Sequence, residues 1–220
     1  MIMDDFFEKN PLFSGLNASE RQLLLQAARK KSYPKNTIIL SEGDTSDSLY
    51  MICKGRLKVA IVDEYGKEII LALLGPGEYF GEMTAMADGA SRSACVVTRE
   101  ACEVLVLQKD DFRKVVKDNP DVVIALLRKS MERLREANKK IESLALLDVY
   151  GRVARLFTNL SRPCDGAQVI EEKLTHQDIA NMVGSSREMV SRVLKELTSG
   201  GYVTVTHKTI IINGKLPYSW

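Results

Sequence analysis

A long amphipathic helix is the feature that most restricts the fold of this 220-residue chain. Within residues 120–147, six apolar side chains and one asparagine recur at alternating steps of three and four, at Ile124, Leu127, Met131, Leu134, Asn138, Ile141 and Ala145. This spacing is the a/d seam of a coiled coil. A helix of about 25 residues is longer than the core of one small domain requires, so we expect this one to serve a purpose outside such a core.

The seam predicts a parallel homodimer formed through the helix of residues 120–147. Its polar member, Asn138, would fix the register of the two helices. The alternative is a helix that lies along a β-structure of its own chain. A seam of three heptads is at the lower limit of the coiled-coil signal, so that alternative stays open.

The residues before the long helix indicate a small antiparallel β-structure. Short β-rich runs separated by turn residues occupy residues 37–40, 49–53, 57–62, 68–74, 95–98 and 104–107. Many short strands at even spacing are typical of a barrel or roll. A helix is expected earlier, over residues 17–31, with Asn17 or Ser19 as its cap and the residues before Pro34 as its end. The glycine-rich interval of residues 75–93 does not fit a strand throughout.

The residues after the long helix predict a helix-turn-helix. Asp148 can cap a helix over residues 149–160, and residues 161–166 are expected to form a loop. Further on, Thr175 and Asp178 form a capping-box pattern at the start of a helix that Gly184 ends. A second helix then follows, which buries apolar residues at helical spacing, namely Val190, Val193, Leu194 and Leu197.

The outward face of that second helix suits a DNA groove. It carries Arg187, Glu188, Ser191, Arg192 and Lys195. Arginine can donate two hydrogen bonds to guanine, and glutamate can accept one from cytosine. Placing these side chains on the first turns of the helix is typical of a recognition helix in the major groove. Strands over residues 202–205 and 208–212, around His207, would form a β-wing.

Charge and composition narrow the class of protein. Residues 151–220 hold nine basic and six acidic side chains, whereas the first 150 residues hold 22 and 23. The C-terminal third is therefore the part suited to a polyanion. No apolar run approaches the roughly 18 residues of a membrane span, and the acidic start, Met1–Asp5, does not resemble a secretory signal. These features predict a cytoplasmic protein with no membrane partner.

Catalysis and metal binding are not expected from the residues present. The cysteines lack C-x-x-C spacing and are expected to be reduced, buried and small apolar in character, at Cys53, Cys95, Cys102 and Cys164. No set of nucleophile, base and orienting group is visible, which predicts a protein that is not an enzyme.

Two segments resemble a known family. Residues 184–194, Gly-Ser-Ser-Arg-Glu-Met-Val-Ser-Arg-Val-Leu, strongly resemble the recognition segment of the bacterial cyclic-AMP receptor protein superfamily, which includes the fumarate and nitrate reduction regulator. Residues 80–83, Phe-Gly-Glu-Met, followed by Ser-Arg-Ser-Ala at 91–94, resemble the family's phosphate-binding cassette. The resemblance runs through nearly the whole chain.

The resemblance implies an α+β fold of two domains. Residues 1–147 would form an N-terminal antiparallel β-roll of the double-stranded β-helix type, which binds a cyclic nucleotide, together with the dimerisation helix. Residues 148–220 would form a C-terminal winged helix-turn-helix.

The resemblance also implies a cyclic-nucleotide site, formed by Gly81, Glu82, Met83, Arg92, Ser93, Arg133 and Asn138. A cyclic phosphate is bound by backbone N–H donors and a planar cation. Gly81 permits close approach of the backbone, Arg92 supplies the guanidinium, and Ser93 adds a hydroxyl donor. Glu82 can accept a hydrogen bond from a ribose 2′-hydroxyl and is expected to pair with Arg133.

The identity of the effector depends on a departure from the family pattern. Members that bind cyclic AMP usually present Thr-Ser to the adenine from the dimer helix, whereas the matching residues here are Ala137 and Asn138. Cyclic AMP (cAMP) is the effector that we expect. The alternative is regulation independent of cAMP, or by another effector such as cyclic GMP or cyclic di-GMP.

No metal, haem or iron–sulfur cluster is expected. The chain before Ser32 contains no cysteine, which disfavours the iron–sulfur branch of the family. The two histidines, His176 and His207, both lie in the DNA module, which excludes a haem held by a sensor-domain histidine.

The implied partner is double-stranded DNA with palindromic half-sites similar to TGTGA. Arg187 and Arg192 would read guanines and Glu188 a C·G pair; the residues assigned to the DNA interface are Thr175, Gln177, Ser186, Arg187, Glu188, Ser191, Arg192 and Lys195. The effector would favour the arrangement that places two recognition helices about 34 Å apart. RNA polymerase is expected as a partner by family analogy alone. A regulatory subunit of an enzyme, the competing interpretation, would have no use for this face.

Overall fold

The computed structural model describes residues 6–7, 10, 12–164, 166–206 and 209–217. The chain forms two compact units, Met1–Leu134 and Arg135–Trp220. The acidic start at residues 1–5, and His207 and Lys208 of the predicted wing, lie outside the described residues. The domain division predicted at 147/148 stays a prediction.

The N-terminal unit alternates short strands, most of which the sequence predicts, with a few helices. Its elements are α1 (Ala18–Ala27), β1 (Arg29–Tyr33), β2 (Ile38–Leu40), β3 (Leu49–Lys54), β4 (Leu57–Val62), β5 (Glu68–Leu74), β6 (Tyr79–Phe80), α2 (Glu82–Met86), β7 (Cys95–Thr98), β8 (Cys102–Leu107), α3 (Lys109–Asp118) and the first half of α4 (Pro120–Leu146). At the start of α1, Asn17 Oδ1 accepts a hydrogen bond from Glu20 N and the Glu20 carboxylate accepts one from Asn17 N, which confirms Asn17 as the cap.

The described strands of this unit form two antiparallel sheets. Their strand orders are β1-β8-β3-β6 and β2-β7-β4-β5. Along β3, Tyr50 and Ile52 contribute to the core shared by both sheets, whereas Leu49 and Met51 pack into the core that the helices cover. Because both faces of β3 are buried up to Ile52, its residues from Leu49 to Cys53 form an uninterrupted apolar run. The predicted antiparallel β-roll is confirmed.

The helix predicted over residues 17–31 is too long. It ends at Ala27, and Arg29–Tyr33 forms strand β1, which pairs antiparallel with β8 from Arg29↔Val106 to Tyr33↔Cys102. The prediction was wrong here because the side chains of β1 are almost all exposed, so its sequence lacks the alternation of apolar and polar residues that indicates a strand. Its pairing partner lies far along the chain and is not visible in local sequence.

The long helix is confirmed as α4, which runs from Pro120 to Leu146 without interruption. Its start is buried in the N-terminal unit through Val122 and Leu126. The predicted seam residues are instead exposed, with fractional exposures between 46% and 64% at Ile124, Leu127, Met131, Leu134 and Ile141. In the described part of the chain, no helix is long and apolar enough to cross a membrane.

The C-terminal unit contains three helices beyond α4 and one small antiparallel sheet, among the described residues. Its elements are α5 (Val149–Leu160), β9 (Arg162–Cys164), β10 (Ala167–Ile170), α6 (His176–Val183), α7 (Arg187–Ser199), β11 (Val203–Val205) and β12 (Ile210–Ile212). The strand order is β11-β12-β10-β9. Asp148 caps α5 as predicted, through its Oδ1 and Gly151 N at 2.8 Å.

One strand of this unit was not predicted from the sequence, and the predicted wing is present. Residues 162–164, expected as loop, form β9, whose three residues are exposed and pair with β10. The predicted wing is present as β11 paired with β12, from Val203↔Ile212 to Val205↔Ile210. The apolar residues of α7 pack with α5, α6 and the sheet in one core.

The four cysteines are free in the structure. Cys102 is buried and Cys53 and Cys95 are half-buried, but Cys164 is exposed on β9, which corrects the expectation that all of them are buried. Burial raises the pKa of the Cys53 and Cys102 thiols. Among the described residues, no cluster of three or more His, Cys, Asp or Glu side chains could hold a metal ion.

Candidate functional site

Arg92 is the centre of the N-terminal site, and it is only 3% exposed. It lies just before β7, where the backbone is held to a turn: Arg92 N donates to Asp44 O and Gly43 N donates to Arg92 O, both at 2.8 Å. The guanidinium is thereby carried into the interior of the β-roll, where a charged group is unfavourable unless it is hydrogen-bonded or paired.

The hydrogen-bond acceptors around this guanidinium are all neutral. Arg92 Nε donates to Ser46 Oγ at 3.1 Å, and Nη2 donates to Ser48 O at 2.8 Å. Nη1 donates to Gly81 O at 2.9 Å and also to Thr84 Oγ1. No carboxylate within the described residues forms an ion pair with it. The positive charge is therefore hydrogen-bonded but not neutralised.

Aromatic rings support the guanidinium from within the core. Arg92 Cζ lies 5.9 Å from the centroid of the Tyr50 ring, and Tyr50 stacks on Phe80 with centroids 4.9 Å apart. Burial lowers the pKa of the Arg92 guanidinium, against the opposing effects of Tyr50 and nearby carboxylates, and burial raises the pKa of Tyr50. Even so, an arginine stays protonated at any physiological pH.

A glycine is required at position 81, both by the backbone conformation there and by the lack of room for a side chain. It has φ = 85° directly before α2, a conformation that side chains rarely adopt. A Cβ added here would lie 2.6 Å from Arg92 Nη1 and 2.7 Å from Ser48 O. The space beside Gly81 is therefore taken up by the guanidinium and by Ser48 O, and the close approach of its backbone to a phosphate stays a prediction.

Glu82, the first residue of α2, forms the predicted ion pair with Arg133. Arg133 Nη1 lies 2.7 Å from Glu82 Oε1, and its Nη2 donates to Tyr79 O at 2.5 Å. The Arg133 guanidinium also lies 5.0 Å from the centroid of the Tyr79 ring. Burial raises the pKa of Tyr79 to about 12, although the nearby Arg133 acts in the opposite direction. The expected pair is confirmed, and it joins α2 to the middle of the long helix.

The remaining predicted ligand residues lie at the edge of this cluster or apart from it. Met83 and Ser93 are exposed, with Ser93 Oγ 3.6 Å from Met83 Sδ. Asn138 is exposed on α4 in the other compact unit. The structure thus brings Gly81 into contact with Arg92, and Glu82 into contact with Arg133.

The far end of α2 is fixed to α3. Arg113 Nε donates to Ala85 O and its Nη2 to Met86 O, both at 3.0 Å, so it satisfies carbonyls at the C-terminus of this short helix. Asp88 pairs with Arg113 at 2.9 Å and with Lys109 at 3.1 Å. These two cations lower the pKa of Asp88.

In the C-terminal unit, α6 and α7 form the predicted helix-turn-helix. Thr175 Oγ1 accepts from Asp178 N and the Asp178 carboxylate accepts from Thr175 N, which confirms the capping box. Gly184 ends α6 in the left-handed conformation, with φ = 65° and ψ = 52°. Ser186 caps α7, because its Oγ accepts from Met189 N at 3.2 Å.

The residues predicted to meet DNA lie on this motif, and all of them except Ser191 are exposed. Arg187, Glu188, Arg192 and Lys195 are exposed on α7. Ser191 is half-buried, and its Oγ lies 2.8 Å from His176 Nδ1. Gln177 donates to Asn181 Oδ1 at 2.7 Å along α6. Thr175 and Ser186 are exposed, but both already serve as helix caps.

Three residues of the Arg92 environment were missed by the sequence analysis, namely Ser46, Ser48 and Thr84. The two serines precede β3 and reach Arg92 only through the sheet, so no local spacing reveals them. The sequence does contain a signal for Thr84, because it follows Gly81 by three residues at the start of a short helix. In the structure its Oγ1 donates to Gly81 O at 3.2 Å.

Both parts of the chain are similar in sequence to known proteins. The family model of the cyclic nucleotide-binding domain matches residues 30–119, and that of the Crp-like helix-turn-helix domain matches residues 151–214. The chain is 37% identical over 188 residues to the cAMP-activated global transcriptional regulator CRP of Salmonella typhimurium, covering 83% of this chain and 88% of that protein. It is 37% identical over 202 residues to the cAMP-activated global transcriptional regulator Vfr of Pseudomonas aeruginosa, covering 88% and 92%.

Solved structures give the same result. The c-di-GMP responsive global regulator CLP of Xanthomonas campestris matches with a TM-score of 0.77 and 27% identity, covering 90% of this chain and 100% of that one. A CRP/FNR-family regulator of Thermus thermophilus matches with a TM-score of 0.67 and 26% identity, covering 84% and 94%. These relatives are transcription regulators and not enzymes, in agreement with the sequence analysis. The chain therefore belongs to the CRP/FNR family of DNA-binding transcription regulators, with a cyclic nucleotide-binding domain and a helix-turn-helix domain.

Proposed function

We propose that this chain is a homodimeric regulator whose sequence-specific DNA binding is controlled by cAMP. The observation that carries the proposal is the buried guanidinium of Arg92, whose protein acceptors are all neutral. A buried cation favours a bound anion, and a phosphodiester offers two oxygens that match the planar fork of arginine.

The chemistry of Glu82 suits the sugar of such a ligand. Its Oε1 accepts from Arg133, and a carboxylate has further acceptor positions for a ribose hydroxyl. The pair also holds the Glu82 side chain in one orientation before the ligand arrives, which reduces the entropy lost on binding.

A cyclic mononucleotide fits this site better than a cyclic dinucleotide. One buried arginine provides one positive charge, which balances the single phosphodiester of cAMP, whereas cyclic di-GMP carries two. Relatives include regulators described as cAMP-activated and one described as c-di-GMP responsive. Because Ala137 replaces the usual threonine, cyclic GMP is the alternative that the experiment must include.

The homodimer is proposed from the exposed apolar seam of α4. Five apolar side chains at a/d spacing are 46–64% exposed, and a second copy of the helix would bury them. Asn138 lies in register with them and is exposed, as a residue that fixes the pairing of two helices would be in one copy.

Recognition of DNA is assigned to the exposed face of α7. Arg187, Glu188 and Arg192 are proposed to read bases of a half-site similar to TGTGA. Further DNA contacts are assigned to Thr175, Gln177, Ser186, Ser191 and Lys195. RNA polymerase is the protein partner proposed from family likeness.

Isothermal titration of the full-length chain with cAMP, cyclic GMP and cyclic di-GMP tests the effector. We expect cAMP to bind most tightly, and Arg92→Ala to abolish both this binding and the stimulation of DNA binding while the dimer persists. Arg29→Ala, which removes an exposed arginine of β1, is the matched control and should behave as the original chain. Unchanged cAMP affinity in Arg92→Ala would rule out its role as the phosphate clamp.

A further inference from the structure

The guanidinium of Arg92 uses most of its donors within the protein. It has five N–H groups, and four of them are engaged, with Ser46 Oγ, Ser48 O, Gly81 O and Thr84 Oγ1. The donor that remains is on Nη2. A bidentate phosphate contact requires two donors, so at least one of the four bonds must be exchanged when a phosphate binds.

The four acceptors differ in how readily they can be exchanged. The carbonyls of Ser48 and Gly81 belong to the backbone and cannot turn away without moving it. The Thr84 hydroxyl belongs to a side chain, and its own hydrogen bond to Gly81 O does not depend on Arg92. Ser46 is exposed, so water replaces its contact at little loss. Thr84 is 2% exposed, so its contact with Arg92 is the exchangeable one that stabilises the free protein most.

We infer that the Thr84 hydroxyl competes with the effector's phosphate for Nη1 of Arg92 and thereby lowers the affinity of the site. The inference rests on the proposed function and names a residue that sets its sensitivity. In the free protein Thr84 satisfies a buried N–H, and in the complex the phosphate takes that donor. Removal of the hydroxyl destabilises only the free state, because that state alone is left with an unsatisfied donor.

The test is the affinity of the full-length chain for cAMP, measured by isothermal titration. Thr84→Val removes the hydroxyl and keeps the side-chain shape, and we expect its dissociation constant for cAMP to fall by about 3- to 10-fold. Thr84→Ser keeps the hydroxyl and should remain close to the original value. Ser46→Ala should change the value by less than about twofold, because its partner exchanges with water.

Thermal unfolding provides a second readout that a purely structural role would not produce. Thr84→Val should melt at a lower temperature without nucleotide but gain a larger increase in melting temperature at saturating cAMP. Thr84→Ala, which also lacks the hydroxyl, serves the same purpose if the valine variant does not fold.

The outcomes separate this inference from the function on which it rests. Equal or weaker cAMP binding by the hydroxyl-free variants, with normal binding by the original chain, overturns the inference alone. Tighter binding by Ser46→Ala alone would assign the competition to Ser46 and also overturns it. Absence of cAMP binding by the original chain overturns the proposed effector, and the inference with it.

Discussion

Among single residues, Arg187 allows the sharpest test of DNA recognition. It is the first residue of α7, it is exposed, and its guanidinium can donate two hydrogen bonds to one guanine. We expect Arg187→Ala to weaken binding to the specific site by about 1–3 kcal/mol and to relax the preference at one base position. A gel-shift titration against a site with each base replaced in turn measures both effects.

The control for this change is Arg162→Ala, which removes an exposed arginine of β9 in the same unit. It changes the net charge equally and should leave the base preference intact. If Arg187→Ala weakened binding to specific and random DNA by the same factor, Arg187 would be a phosphate contact and not a base reader.

The sequence could predict Arg92 but not its surroundings. The resemblance of residues 80–83 and 91–94 to the family cassette identifies Glu82 and Arg92, and the resemblance also implies Arg133 as the partner of Glu82. Ser46 and Ser48 contact Arg92 across more than forty residues of sequence, through a turn that only the folded sheet brings near. Long-range contacts of this kind depend on strand register, which local patterns do not contain.

Among the elements, α4 carries the prediction about assembly. A leucine buried at an interface contributes about 1.5–3 kcal/mol, and a dimer contains each seam leucine twice. Leu134→Glu should therefore weaken dimerisation by about 3–6 kcal/mol, or two to four orders of magnitude in dissociation constant. Sedimentation equilibrium of the full-length chain measures this change.

Lys139→Glu is the control for the seam, because it places the same side chain at an exposed position of α4 outside the seam. It should leave the dimer intact. A dimer that survives Leu134→Glu would show that the two chains associate through another surface.

Elements were predictable where their own residues carry an apolar pattern or a capping pattern. The apolar runs of β3 and β8, the caps of α5 and α6, and the seam of α4 all follow from apolar pattern and capping chemistry. Strands β1 and β9 escaped prediction because their residues are mostly or entirely exposed. Both strands are held by backbone hydrogen bonds to a partner strand. Every residue except proline offers the same backbone donor and acceptor, so these bonds do not produce a side-chain pattern in the sequence.

The proposed function requires that a nucleotide bound in one unit changes the DNA affinity of the other unit. Helix α4 begins in the N-terminal unit, where Arg133 holds Glu82, and ends in the C-terminal unit. At that end Arg155 donates to Ser143 Oγ at 2.8 Å and to Glu142 Oε1 at 2.9 Å, which ties α5 to the last turns of α4. A Cβ at Gly184 would lie 3.1 Å from Leu144, so the turn between α6 and α7 packs on the same end.

This tie predicts that Arg155→Met reduces the coupling between the two ligands. The variant keeps the apolar stem but no longer fixes α5 to α4, so a change in α4 would reach the recognition helix less completely. We expect the factor by which cAMP raises DNA affinity to fall by about fivefold, or about 1 kcal/mol of coupling, with cAMP affinity in the absence of DNA unchanged. Because linkage is reciprocal, operator DNA should raise cAMP affinity by the same reduced factor. Titrations of each ligand with and without the other measure both factors, with Arg162→Ala as control, and a factor equal to that of the original chain would exclude Arg155 from the coupling.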